Sequence, residues 1–162
     1  MTAQHYSDSK AYNYVISQFK VLDISLDRIA EEARTQQLRH HTTSSLAEYK
    51  RVLLNILHKR EILNYIMCAL YLDQSARERA LPEPLQTVMD CDSPLFGADE
   101  AIANGMCSLY GTIAGTNFGY LDVVKTGLAK EVDSRSEVYV FLDDVVSALV
   151  ACTEAKIASE EG

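Results

Sequence analysis

Apolar residues recur at helical spacing along most of the chain. In residues 12–19 and 22–38 they return every three or four positions, which predicts an amphipathic helical region. The polar run at 40–45 interrupts this pattern, and Ser45 with Glu48 fits the capping box that starts a helix. A long helical region is therefore expected after Ser45.

Charged and proline-containing segments divide the chain further. The charged group HKRE at 58–61 interrupts an apolar pattern that one helix or two abutting helices would satisfy equally. The two prolines of LPEP, residues 81–84, end this region, because proline lacks the helical N–H and biases the preceding residue toward extended geometry. A short helix is then expected from about 84 to 90. Polar breaks at 90–97 and 130–137 each precede a strongly apolar helix.

These elements predict one all-α domain over residues 1–162, a multi-helix bundle. Sustained two-residue alternation is confined to SEVYVF, no internal repeat is present, and the polar breaks are too short to be domain linkers. The uncharged segment 101–121 is long enough to span a bilayer, but it contains four glycines and several polar residues. We interpret it as a buried, glycine-rich helix of a soluble protein.

Three glycines in that segment, Gly111, Gly115 and Gly119, lie four residues apart. They permit close approach of a second helix, within the chain or between subunits, or else they break the helix and shape a ligand site. Their spacing is not that of a G-x-G-x-x-G phosphate loop. Because 48% of the residues are hydrophobic, we also expect a homo-oligomer, a dimer or tetramer.

Composition narrows the classes of function and the location. A net charge of −8 argues against a nucleic-acid partner, because only a local patch could then supply the basic surface that binding needs. The four cysteines form no C-x-x-C pair, which argues against a zinc ribbon or a thioredoxin-like motif and is typical of small core residues in a reducing compartment. The first ten residues lack the basic and apolar regions of a secretory signal. We expect a cytoplasmic protein.

The segment FLDDVVSALVA, 141–151, places Asp143 and Asp144 among apolar residues with no lysine or arginine three or four positions away. If the helix starts near residue 142, the two acids lie in its exposed first turn and favour the helix dipole. If they are buried, they need a cation from elsewhere in the fold or from solution, because buried unpaired carboxylates cost several kcal/mol.

A second acidic pair, Asp99 and Glu100, also heads an apolar helix. Alone it is typical of first-turn capping, but two such pairs could converge into a set of oxygen ligands, which suits Mg²⁺, Mn²⁺ or Ca²⁺ rather than zinc. Between the pairs lie Asp122 and Lys125, one helical turn apart. They form either a surface ion pair, or a site in which Asp122 joins the metal ligands and Lys125 faces an anion.

Residues of about 45–155 resemble phosphatidylglycerophosphatase A, and specifically the soluble, all-helical branch of that family. The resemblance is strongest in LPEPLQTVMDCDSPLFGADE, NFGYLDVVK and FLDDVVSALVA. The family carries an Asp-Glu pair with an aspartate seven residues earlier, a phenylalanine followed by an aspartate and a lysine, and an aspartate pair that heads an apolar helix. The matching residues here are Asp92, Asp99 and Glu100, then Phe118, Asp122 and Lys125, then Asp143 and Asp144.

The chain departs from the family pattern at three places. Gly119 and Thr126 stand where membrane members have arginine and proline, so one expected phosphate contact is missing. No P-G-T-x-G-S motif precedes Leu81. The transmembrane helices of those members have no counterpart either, which bears on a lipid substrate more than on the metal site.

The resemblance implies a phosphatase that uses Mg²⁺, with Mn²⁺ or Ca²⁺ as substitutes, to hydrolyse phosphatidylglycerophosphate to phosphatidylglycerol and phosphate. The expected partner is a phosphorylated small molecule or phospholipid head group, met in transient contact with a membrane surface. The implied metal ligands are Asp92, Asp99, Glu100, Asp122, Asp143 and Asp144, and the implied catalytic residues are Asp99, Glu100, Asp122, Lys125, Asp143 and Asp144. The expected substrate-binding residues are Lys125, Asn117, Lys59 and Arg60, although 58–60 is also typical of a solvated helix junction.

Two alternatives remain open at this point. One is a non-enzymatic helical oligomer in which the acids are helix caps. The other is a helical, Mg²⁺-dependent nucleotide pyrophosphohydrolase, although the E-x-x-E pair of acids typical of that class is not evident in the right setting.

Overall fold

The computed structural model describes residues 8–40, 42–92, 96–137 and 139–161, and the regular structure in these ranges is entirely helical. The all-α expectation is confirmed. Three segments discussed above lie partly outside the described residues. They are the N-terminal ten residues, the break at 90–97 and the segment SEVYVF. The helices are α1 (Asp8–Val21), α2 (Leu26–Gln37), α3 (Leu46–Leu57), α4 (Arg60–Arg77), α5 (Leu85–Asp90), α6 (Ala98–Ser108), α7 (Thr112–Val124), α8 (Gly127–Asp133) and α9 (Leu142–Glu161).

The C-terminal helix α9 forms the centre of the fold. It packs against α2, α3, α4, α6, α7 and α8. Its buried residues include every position from Leu142 to Ala155. A helix that is apolar on all sides has no solvent-facing stripe and is stable only when other helices surround it. The first turn of α9 is therefore held deep in the molecule, and the acids there are held with it.

The helix boundaries follow the local signals. Ser45 and Glu48 form the expected capping box at the start of α3. The apolar stretch after it is two helices, which meet at His58 and Lys59. The short helix after the prolines begins at Leu85, with Pro84 as its N-terminal flanking residue.

The single helix expected over 101–121 was a wrong prediction, because the segment is divided between α6 and α7, with Gly111 at φ of 84° between them. The expected burial is found on one side of α7 only. Its buried residues are Ala114, Phe118 and Leu121. Gly119 is exposed, and a Cβ atom added there or at Gly115 would meet nothing within 4 Å. The glycines follow the buried positions by one residue, about 100° around the helix, so they face outward. Close packing of a helix of the same chain against them was therefore a wrong expectation, whereas packing between subunits stays a prediction.

Two further expectations concern the solvent-facing parts of the molecule. Cys107 and Cys152 are buried as expected of core residues, but Cys68 and Cys91 are exposed. In the described ranges, no helix combines the length and the apolar character needed to cross a bilayer.

Candidate metal centre

A cavity of about 180 Å³ lies beside the first turn of α9. It joins residues that are distant in the sequence: one follows α5, two are in the first turn of α6, two are at the end of α7, one precedes α9, and two are in the first turn of α9. Its lining residues are Asp92, Asp99, Glu100, Asp122, Lys125, Val140, Asp143 and Asp144. The structure thus brings together Lys125 and all six acids predicted from the sequence, while their roles as ligands or catalysts remain predictions.

The aspartate pair of α9 lies in the first turn of the helix and is also buried, so the two alternatives raised by the sequence are both met in part. The helix begins at Leu142, so Asp143 and Asp144 are in its first turn. Each is only 4% exposed, however, so neither is a solvent-facing cap. Burial of two adjacent carboxylates requires compensation by a cation or a proton.

The start of α9 is held by an acid that sequence reasoning missed. Asp73, on α4, accepts hydrogen bonds from the backbone N–H groups of Val140 at 3.0 Å, Phe141 at 3.1 Å and Leu142 at 3.0 Å. Burial raises its pKa to about 7, although these N–H groups act in the opposite direction. Asp73 supplies acceptors for otherwise unpaired donors at the helix start, and so fixes the position of the acids that follow.

A signal for Asp73 was present in the sequence. It shares the buried face of α4 with Ile66, Ala69 and Leu70, at intervals of three and four residues. An acid in the apolar stripe of an amphipathic helix is rare unless something pairs with it. The sequence alone did not show that its partners would be the N–H groups at the start of α9.

One of the cations that the buried pair requires comes from elsewhere in the fold. Lys125 follows α7 in a left-handed conformation, with φ of 37°. Its Nζ donates to Asp143 Oδ2 at 2.7 Å and to Asp133 Oδ1 at 2.9 Å. Burial disfavours the charge on Lys125, but these two hydrogen bonds more than offset it and raise its pKa. The ion pairs of Lys125 are thus with Asp143 and Asp133, rather than the expected one with Asp122.

The remaining acids of the cavity form no ion pair with a described residue. Asp99, Glu100 and Asp144 each offer one carboxylate oxygen, and these oxygens lie within 4.8 Å of one another. Asp99 Oδ1 and Glu100 Oε2 are buried without a hydrogen-bond partner in the described part of the chain. Burial, together with the charges of Asp143, Asp122 and Asp99, raises the pKa of Asp144 to about 9. Burial and the neighbouring Glu100 raise the pKa of Asp99 to about 7.

These residues fit a hard divalent cation. All the cluster's ligand atoms are carboxylate oxygens, the type that Mg²⁺ binds in proteins. Buried acceptors that meet no donor are rare in folded proteins, and an ion explains them directly. Asp99, Glu100 and Asp144 are accordingly the residues best placed to hold the metal, and Asp92 and Asp122 lie on the same cavity wall.

Three residues expected to bind substrate lie elsewhere. Asn117 donates from Nδ2 to Glu154 Oε2 at 2.5 Å. The ammonium of Lys59 lies 5.3 Å from the centre of the Tyr110 ring. Arg60 forms an ion pair with Asp8 at 2.7 Å. Since none of the three lines the cavity, the alternative of a solvated helix junction describes Lys59 and Arg60 better than a phosphate site does.

The chain resembles proteins of known structure over nearly its whole length. The crystal structure of YpjQ from Bacillus subtilis superimposes with a TM-score of 0.90 at 34% identity, covering 96% of this chain and 98% of that one. The low temperature requirement C protein from Listeria monocytogenes gives a TM-score of 0.86 at 31% identity, with 98% and 99% covered.

Sequence comparison agrees with the structural comparison. The uncharacterized protein YpjQ of Bacillus subtilis is 38% identical over 136 residues, which covers 83% of this chain and 77% of that protein. The uncharacterized protein YutG of the same organism is 34% identical over 144 residues, with 88% and 87% covered. A family model described as phosphatidylglycerophosphatase A matches residues 38–159. This chain belongs to the phosphatidylglycerophosphatase A family.

Proposed function

We propose that this protein is a Mg²⁺-dependent phosphatase that hydrolyses a phosphomonoester, with phosphatidylglycerophosphate as the first substrate to test. The family is a phosphatase family, which supports a hydrolase. The observation that carries the metal dependence is the convergence of Asp99, Glu100 and Asp144, with two buried carboxylate oxygens that meet no donor.

The residues of the cavity divide into two groups. Asp99, Glu100 and Asp144 would hold Mg²⁺, which when bound polarises phosphoryl oxygens and lowers the pKa of a bound water. Lys125 is fixed by Asp143 and Asp133, so its ammonium stands at the cavity wall in one position. There it can offset negative charge on the substrate phosphate without reorganising during the reaction.

The charge of the cavity makes activity depend on the metal. The cavity wall carries six acids and one lysine, so an anionic phosphate is repelled until a divalent cation reduces the negative charge. We expect a cytoplasmic protein that meets a phospholipid head group at the membrane surface, and a homo-oligomer, a dimer or tetramer.

The direct test is phosphate release from phosphatidylglycerophosphate in detergent micelles. Activity should be abolished by a chelator and restored by Mg²⁺, with Mn²⁺ and Ca²⁺ compared in parallel. Glycerol 3-phosphate and phosphatidate, assayed alongside, define whether the lipid, the head group or the bare monoester is recognised. Asp27 provides a matched control, because it is a first-turn acid of α2 but is exposed, so Asp27→Asn should retain full activity.

The non-enzymatic alternative makes the opposite prediction. If the acids are only helix caps, no monoester is hydrolysed and Mg²⁺ does not change the melting temperature. Both results together would disprove the phosphatase proposal.

A further inference from the structure

A second cavity, of about 430 Å³, lies between the end of α2, the middle of α7 and the C-terminal half of α9. Its lining residues are Gln36, Gln37, Arg39, Thr116, Asn117, Tyr120, Leu121 and Glu154. It shares no lining residue with the carboxylate cavity. Glu154 is ten positions beyond Asp144 on α9, which separates the two sites by about 15 Å along the helix.

Glu154 is the feature of this cavity that the fold does not explain. It is 2% exposed, and although Asn117 donates to its Oε2, its Oε1 has no hydrogen-bond partner in the described part of the chain. Burial raises the pKa of Glu154 to about 7, with the amides of Asn117 and Gln37 acting in the opposite direction. A buried acceptor of this kind is normally satisfied, so a donor from a bound molecule is the expected partner.

The other groups on the wall define the kind of molecule. Side-chain amides and a hydroxyl, from Gln36, Gln37 and Thr116, can each pair with a hydroxyl group. The ring of Tyr120 is 51% exposed, which leaves a flat apolar surface for the carbon face of a sugar or polyol. Arg39 is exposed and offers a guanidinium, which suits a phosphate.

We propose that this cavity binds a small sugar or polyol that carries one phosphate, with hydroxyl groups directed to Glu154 and the phosphate to Arg39. The site goes beyond the proposed phosphatase function and does not depend on it. A lipid chain is a poor fit, because it offers no donor to the buried Oε1 of Glu154, and a nucleic acid needs more than one cation.

The test is a titration of the ¹⁵N-labelled protein followed by NMR, with glucose 6-phosphate as the probe and glucose and inorganic phosphate as separate arms. A chelator is present throughout, so that phosphate is not drawn to a metal in the carboxylate cavity. We expect saturable binding of glucose 6-phosphate that shifts amides of α2, α7 and α9 around Glu154. Glucose and inorganic phosphate should each bind at least about tenfold more weakly, because each lacks one of the two recognised parts.

Variants locate the site. Arg39→Gln and Tyr120→Ala should each weaken binding by about tenfold, and both residues are exposed, so folding is not at risk. Glu154→Gln should reduce the advantage of glucose 6-phosphate over inorganic phosphate. Tyr71→Ala is the matched control, since Tyr71 is 65% exposed and lies outside the cavity, and it should bind normally. Asp144→Asn should also bind normally, because it changes only the carboxylate cavity.

Three results would overturn the proposal: no saturation with glucose 6-phosphate, equal binding of inorganic phosphate alone, or loss of binding in Asp144→Asn. The phosphatase proposal is tested separately, by phosphate release from the Mg²⁺-loaded protein, so the failure of one proposal is distinguishable from the failure of the other.

Discussion

Asp73 of α4 and Asp144 of α9 are both buried at the start of α9, but their surroundings are opposite. Asp73 is 1% exposed and meets three backbone N–H groups. Asp144 is 4% exposed, receives no hydrogen bond from the described residues, and faces the charges of Asp143, Asp122 and Asp99. The pKa is raised to about 7 for Asp73 and to about 9 for Asp144.

The difference separates an acid that serves the fold from one that serves a ligand. The fold supplies donors to Asp73, so its loss should reduce stability. Around Asp144, burial and the repulsion by neighbouring acids outweigh the attraction of Lys125, so its loss should reduce function and leave the metal-free fold as stable as before, or more stable. The predictions below test this separation.

The largest effect is expected for Asp144→Asn. Loss of one carboxylate from the ligand set should lower phosphate release by about 100-fold or more, because the metal is held less tightly and less well oriented. The melting temperature of the metal-free variant should equal or exceed that of the natural chain, since folding no longer has to protonate this carboxyl group or bury its charge. Activity assays and thermal melts in chelator measure the two quantities on the same preparation.

The separation of roles would be wrong if Asp144→Asn unfolded the protein in chelator, because Asp144 would then be part of the structural framework. Asp27→Asn serves as the control in the same melts, since Asp27 is a first-turn acid that is exposed.

The next effect concerns the charge that faces the substrate. Lys125→Met should lower phosphate release by about 10- to 100-fold, because the ammonium that offsets phosphate charge is lost. Removal of this partner also leaves Asp143 buried and unpaired, so the metal-free melting temperature should fall. Lys130→Met is the matched control: Lys130 is an exposed lysine of α8 and does not line the cavity. Equal activities of the two variants would remove Lys125 from the proposed mechanism.

Asp73→Asn should show the reverse pattern to Asp144→Asn. An asparagine keeps one acceptor oxygen but places an NH₂ group against a backbone N–H, so the free energy of unfolding should fall by about 1–3 kcal/mol. For a chain of this length that lowers the melting temperature by roughly 3–10 °C. Phosphate release per folded molecule should change far less than in Asp144→Asn. A hundredfold loss of activity with normal stability would place Asp73 in the catalytic machinery instead.

The sequence predicted the helical fold and the acids of the cavity better than it predicted their surroundings. Helix starts such as that at Ser45 depend on local chemistry that two residues specify, and the acids stood out because no nearby residue could neutralise them. The resemblance added Asp92, which no local pattern would have selected. The glycines of α7 were harder to interpret, because their spacing fixes a common face without saying whether that face is covered.

Long-range partners could not be predicted in this way. Asp73 lies 67 positions before Val140, from whose N–H group it accepts a hydrogen bond. Lys125 lies 18 positions before Asp143, to which it donates. Such pairings depend on how the helices pack around α9. Glu154 was missed for a related reason: a single acid near the polar C-terminal end of a helix is typical of an exposed position, and only the packing of α2 and α7 buries it.

The last prediction concerns how the melting temperature of the metal-free protein depends on pH. Both Asp73 and Asp144 have a folded-state pKa above the ordinary value of 3.8, so the folded protein binds more protons than the unfolded chain at intermediate pH. Their contribution to stability is therefore complete below about pH 4 and is lost as pH rises, through about 7 for Asp73 and about 9 for Asp144. The metal-free melting temperature should fall from pH 5 to pH 9.

Saturating Mg²⁺ should separate the contributions of Asp73 and Asp144 to this fall in melting temperature. A bound cation favours the ionised form of Asp144, so the fall between pH 7 and pH 9 should disappear, whereas the fall below pH 7 that belongs to Asp73 should persist. Asp144→Asn should remove the fall between pH 7 and pH 9 without any metal, whereas Asp73→Asn should reduce only the fall below pH 7, to which Asp144 also contributes. If Mg²⁺ instead leaves the fall between pH 7 and pH 9 unchanged, Asp144 does not bind the ion, and the contrast between the two aspartates reduces to a difference in burial.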